Sequence, residues 1–166
     1  LSTGNPGLKP EIGNRFELGY SKDVKNFGSI NASLFYRENE QDIQPFIIFY
    51  PTYQVGDTIY TNVAVSKREN IGRENNIGVN FFGNVNFIPK LDLRTNLFFF
   101  QRHTINIIDK GYDYNSFNYR ANLNASYQFS GTLAAEFFGN FSSSRHEAQC
   151  TYPSFTYYSL SVLKQL

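Results

Sequence analysis

The chain has 166 residues, a mass of 19.1 kDa and a net charge of +1, the size of one ordinary domain or part of a larger one. Aromatics make up 17%, charged residues only 17%, and Asn occurs 19 times; this excludes a disordered chain, a helical bundle and any whole-chain electrostatic pull toward nucleic acid. One cysteine, Cys150, excludes a disulfide framework, and the longest apolar run, Phe46 to Tyr50 between Pro45 and Pro51, is far short of the roughly 18 residues that a membrane-spanning helix needs.

From the amino terminus onward, Leu1 to Gly7 has loop composition, and the first residue is not Met. Apolar residues at every second position then mark seven strands. Phe16, Leu18 and Tyr20 mark the first, and Ile30, Ala32, Leu34 and Tyr36 the second. Ile77, Val79, Phe81, Val85 and Phe87, with Gly83 in register, mark the third. Leu91, Leu93, Leu97 and Phe99 mark the fourth, and the fifth runs from Phe117 to Phe129. Leu133, Ala135, Phe137, Gly139 and Phe141 mark the sixth, and Tyr158, Leu160 and Val162 the seventh. The connections Val24–Gly28, Ile88–Lys90 and Phe129–Gly131 are short, whereas those at about 38–75, 103–116 and 143–154 are long.

Three features separate a membrane barrel from a sandwich. The alternation from Phe117 to Phe129 covers about 30 Å at roughly 3.3 Å per residue and a tilt near 40°, a bilayer's hydrocarbon thickness. Along its apolar face the order is Phe, Tyr, Ala, Leu, Ala, Tyr, Phe, with rings at both ends as in the aromatic girdles of outer-membrane barrels. Short and long connections alternate strictly, the asymmetry of brief periplasmic turns and extended outer loops. In Phe129-Ser130-Gly131 a three-residue hairpin would place Gly131 at positive φ and pair Tyr119 with Phe141 and Tyr127 with Leu133. The expected fold is all-β, an antiparallel up-and-down transmembrane β-barrel. Bacterial single-chain barrels have an even strand count, so seven strands imply that residues 1–166 are part of one barrel domain whose remaining strands lie elsewhere.

The run Gly4-Asn5-Pro6-Gly7-Leu8-Lys9-Pro10-Glu11, followed by Phe16-Glu17-Leu18-Gly19-Tyr20, resembles the late barrel of TonB-dependent outer-membrane receptors, which carries an N-P-x-L-x-P-E loop and an E-x-G-Y strand. Tyr50-Pro-Thr-Tyr53, Arg68-Glu-Asn-Ile-Gly72 and Ser154-Phe-Thr-Tyr-Tyr-Ser-Leu160 look like the Bacteroidetes-type outer-membrane β-barrel branch. The resemblance covers the whole chain. It implies a bacterial outer-membrane location and a barrel of about 22 strands around a plug. The partners it implies are outer-membrane lipid, the rest of the barrel and the plug, the TonB complex acting through that plug, and a surface lipoprotein. Nucleic acid and cofactors are not among them.

The connection from Glu38 to Asn75 is the longest and holds Tyr50, Tyr53, Tyr60 and the turn Gly56-Asp57. Its rings could grip a sugar, peptide or chelate, or pack within a hairpin raised above the membrane. Arg15, Glu17, Arg94, Arg120 and Glu136 fall on polar faces; in a barrel they point to the lumen and meet either the plug or the cargo. His103 and His146 fall at loop positions without metal-ligand spacing. Ser142-Ser143-Ser144 beside His146 makes no nucleophile–base constellation. Cys150 is either a free exposed thiol or pairs outside this stretch. The glycosylation patterns at Asn31, Asn124 and Asn140 sit on expected strands and are discounted.

The leading expectation is the wall and outer loops of a TonB-dependent transporter taking up a nutrient or chelate, without catalysis. A soluble or surface-attached all-β glycan-binding module and a passive porin are the alternatives.

Overall fold

The computed structural model describes residues 1–86, 88–108, 113–147 and 149–164. Seven strands form one antiparallel sheet: β1 (Ile12–Val24), β2 (Gly28–Val55), β3 (Thr58–Val85), β4 (Leu91–Asn106), β5 (Tyr114–Ser130), β6 (Leu133–Ser142) and β9 (Phe155–Lys164). Each pairs with its neighbour in chain order, so the sheet is a meander. The two-residue strands β7 (Arg145–His146) and β8 (Thr151–Tyr152) pair with each other in the β6–β9 connection. The short connections after β1, β3 and β5 share one end of the sheet; the other end carries the long β2–β3 hairpin, closed by a tight turn, and the connections 107–113 and 143–154. Phe87 of the expected third strand lies outside the described residues.

The register keeps the apolar positions in phase through all seven strands. One cross-strand row reads Phe16, Tyr36, Ile77, Gln101, Phe117, and another reads Gly28, Val85, Leu93, Ala125, Phe137, Leu160. A sandwich would bury this face under a second sheet about 10 Å away. Here Leu18 is 77% exposed and Leu160 72%, and only Phe35, Val65 and Ile71 are buried apolar residues among those described. The fold is a single layer with a greasy side and a polar side.

Three sequence expectations need correction. Residues 38–75 form no loop: β2 and β3 have 28 residues each and continue as one hairpin to a tight turn at Gly56-Asp57, with Val55 opposite Thr58. The alternation is lost there because the ladder slips at Glu40, Asp42 and Ile43, which face Arg73, Gly72 and Asn70 and leave Gln41 and Ile71 unpaired. Gln41 adopts φ 57° and Gly72 φ 143°; a Cβ on Gly72 would lie 2.0 Å from the Ile105 carbonyl oxygen. Second, the β5–β6 hairpin pairs Ala121 with Phe141 and Tyr127 with Ala135, two residues from the expected register, with Ser130 opposite Leu133 and a bulge at Phe129. The shift is even, so both apolar faces stay together. Gly131 is not at positive φ, because the turn falls on Gly131-Thr132. Third, His103 is in β4, opposite Asn75 and Asn115, because that strand runs on to Asn106.

Candidate functional site

The polar side of the sheet carries the charges expected there. Arg94 on β4 and Glu136 on β6 line one trough of about 570 Å³ with Asp92, Asn124, Ser126 and Ser159. Arg94 Nε lies 3.1 Å from Asp92 Oδ1, two residues away on the same face. Arg120 projects from the same side four residues beyond Asn124, opposite Phe98 and Ser142, and is not part of that trough. Arg15 and Glu17 pair at 2.6 Å on β1.

Two features of this side were missed by sequence reasoning. It is not uniformly polar: Phe35, Phe98 and Phe100 form a ring cluster, with the Arg102 guanidinium 5.6 Å from the Phe100 centroid. Toward the long-connection end lies a buried polar group. Glu74 Oε1 accepts from Asn76 Nδ2 at 2.7 Å, and Glu74 Oε2 is 3.6 Å from Arg102 Nε. Asp42 joins this side because the ladder irregularity reverses the facing of β2; it accepts from Gln44 Nε2 at 2.7 Å. Burial pushes the Asp42 carboxyl above the usual carboxylate range, the charges of Glu74 and Glu11 add to this, and the Gln44 bond opposes it. Carrying the parity of β3 and β4 past Ile77 and Phe99 would have found Glu74 and Arg102. Asp42 needed the irregularity.

On the greasy side the apolar rows end at Glu38, Asn75, His103 and Asn115, which stand in one cross-strand row. Beyond it Arg73 pairs with Glu38 at 3.5 Å and Glu40 at 2.7 Å. The β2–β3 hairpin continues for another 17 residues past Glu38, about 55 Å at 3.3 Å per residue. The rings of Tyr50 and Tyr53 lie 5.3 Å apart on it, and Tyr60 stands opposite Tyr53 in the ladder. The Glu69 carboxylate, 2.5 Å from Lys67, holds that ammonium above its ordinary range, and Tyr50 and Tyr53 are within its electrostatic reach. The three tyrosines singled out from sequence thus share one hairpin, two of them in ring contact.

The hairpin is held from the side by the opening segment. Thr3 N–H donates to the Ser66 carbonyl at 3.0 Å and Ser66 N–H to the Leu1 carbonyl at 2.8 Å, along the free edge of β3. Asn70 takes the Lys9 peptide like a strand partner: its Oδ1 accepts from Lys9 N–H at 2.8 Å, and its Nδ2 donates to the carbonyls of Lys9 (2.9 Å) and Gln41 (2.7 Å). The Asn5-Pro6 loop recognised in the sequence is therefore a buttress against β3.

Among the described residues, no group of three or more His, Cys, Asp or Glu is placed to hold a metal ion. His146 lies in β7, its Nδ1 2.8 Å from Thr151 Oγ1, and Cys150 is a free, exposed thiol.

The sequence model of the outer membrane protein beta-barrel family matches residues 1–166. Among solved structures, the chain is similar to a point mutant of the ferric enterobactin receptor (PfeA) from Pseudomonas aeruginosa, with a TM-score of 0.55 and 15% identity, covering 98% of this chain and 24% of that one. The chain thus spans about a quarter of the receptor it matches, and the likeness is one of fold: the seven strands correspond to part of a barrel wall. No significant match is found among curated proteins.

Proposed function

Because the chain belongs to the outer membrane protein beta-barrel family, we propose that it is part of the wall and outer loops of a TonB-dependent transporter, which takes up a nutrient or chelate without breaking bonds in it. The observation that carries this reading is the two-sided single layer: a greasy face bounded by the Glu38–Asn75–His103–Asn115 row, backed by a polar face bearing Arg94, Arg120 and Glu136. A sheet with one face in lipid and the other in water needs this division, and closure with further strands satisfies its two open edges.

On this reading the short turns face the periplasm and the long hairpin stands outside the cell. Arg94, Arg120 and Glu136 face the lumen and contact the plug or the passing cargo, and Tyr50, Tyr53 and Tyr60 are the candidate cargo contacts. The rest of the barrel, its plug and the TonB complex acting through that plug are the partners, with outer-membrane lipid around the wall and a surface lipoprotein as the candidate partner outside. The likeness to a receptor for a ferric chelate supports a transporter over a glycan-binding module, which would need no lipid-facing side.

The test is uptake of candidate cargoes by cells carrying the full-length protein, with and without TonB. Uptake that needs TonB supports the transporter. Equal uptake without TonB makes the protein a passive pore, and a product that stays monomeric in water without detergent makes it a binding module.

A further inference from the structure

A single-layer sheet leaves both faces open to solvent, yet at the long-connection end its polar face buries Glu74, Asn76, Thr104 and Asn118, each between 1% and 7% exposed. The β6–β9 connection is tied down beside them. Asn118 Nδ2 donates to Ser143 Oγ at 3.0 Å and to the Ser144 carbonyl at 2.7 Å, and the Tyr114 hydroxyl donates to the His146 carbonyl. Near the tip of the β7–β8 hairpin, Glu147 N–H donates to the Cys150 carbonyl at 2.8 Å. Gln149 there reaches β2: its Oε1 accepts from Ile47 N–H at 2.5 Å and its Nε2 donates to the Ile47 carbonyl at 2.9 Å. The last β1 partner on β2 is Glu40, so at Ile47 this edge has no strand beside it, and the carboxamide supplies both bonds that a strand would make.

Tyr114 stands in the row of Asn39, and Ile47 lies eight residues beyond that row and three strand spacings to the side, about 30 Å away on a flat sheet, whereas the three residues from His146 to Gln149 reach about 10 Å. With the connection held to the polar side of β5 and Gln149 bonded to Ile47, the β2–β3 hairpin therefore bends toward the connection over the polar side. We infer that the β6–β9 connection is a clasp, anchored on β5 by Asn118 and Tyr114 and joined to β2 by Gln149, that holds the β2–β3 hairpin over the polar side, and that release of this catch uncovers the polar group around Glu74 and Arg102. The near anchor has three bonds from two side chains, whereas the far one is a single carboxamide, so the far end opens first. The inference concerns the fold and stands whether or not the protein transports anything.

The test uses the full-length protein in lipid nanodiscs, with spin labels on Cys150 and on a cysteine replacing Thr61, and any other cysteine changed to serine. The native Gln149 should give one narrow distance. Gln149→Ala should broaden it and speed exchange of the Ile47 amide about tenfold, while amides of the β2–β3 ladder below Glu40 keep their protection. In Gln149→Glu an ionised carboxylate cannot donate to the Ile47 carbonyl, so the distance should be broad at neutral pH and narrow again once the carboxyl is protonated. An unchanged distance and an unchanged Ile47 amide in Gln149→Ala would overturn the catch, as would a distribution already broad with Gln149 in place.

Discussion

Phe35 on β2 and Phe98 on β4 stack face to face, with ring centroids 4.9 Å apart and planes 6° apart, although the whole of β3 lies between their strands. Gly78 makes this possible. It stands in the row between Phe35 and Phe100, and without a side chain it lets the rings close over the backbone of β3. Phe35 is left only 5% exposed, and among the described residues only Val65 and Ile71 are buried apolar groups beside it.

Gly78→Val should therefore destabilise the sheet. A Cβ at this position would lie 2.2 Å from the Phe99 carbonyl oxygen and 2.5 Å from Phe100 Cβ, so the backbone of β4 has to move. The expected cost is about 1–3 kcal/mol, with the ring cluster opened. Urea titration of the protein refolded in lipid vesicles measures it, and an unchanged midpoint would show that the cluster adds nothing.

Leu123 and Asn122 are neighbours on β5 that face opposite sides. Leu123→Arg puts a charge among the greasy rows, at an expected cost of about 2–4 kcal/mol near a bilayer midplane. Asn122→Arg places the same charge on the polar side and should cost much less. Folding titrations in vesicles compare the two, and equal penalties would reverse the assignment of faces.

Tyr50 and Tyr53 are in contact at 5.3 Å on a hairpin that projects well past the greasy band. Replacing both by Ala in the intact protein should weaken cargo binding about tenfold if the rings stack on cargo, at roughly 0.5–1.5 kcal/mol per aromatic contact. Barrel assembly, read from heat-modifiable gel migration, should be unaffected. Normal uptake at normal surface levels would leave the two rings a packing role only.

Asp42 gives the hairpin base a pH dependence of known sign. The folded state raises its pKa, so folding binds a proton more tightly than the unfolded chain does. Its contribution is complete below the unfolded value of about 4 and is lost as pH rises through the raised folded value. Asp42→Asn mimics the protonated form, so wild type and variant should be equally stable near pH 4 and the variant more stable at pH 7. Proteolytic susceptibility of the hairpin, compared across that range, is the readout. A variant less stable than wild type at pH 7 would mean that the ionised carboxylate is favoured by its partners.

The sequence by itself determined the seven strands of the sheet, the in-phase greasy face, the short connections after β1, β3 and β5 and the turn at Gly56-Asp57. All of these follow from spacing along the chain, since a strand's two faces are set by residues i and i+2 and a turn by its own few residues. The polar placement of Arg94, Arg120 and Glu136 was legible for the same reason. What only the tertiary structure decided lies between strands. The slip at Gln41 and Ile71 moves Asp42 to the polar side, and no local pattern marks it, because an irregularity is defined by the ladder opposite. The Phe35–Phe98 stack depends on Gly78, which stands between Phe35 and Phe100 in a register that neither strand contains alone. Gln149 meets Ile47 across 102 residues, where a backbone edge left open by the end of β1 found a carboxamide of the right shape.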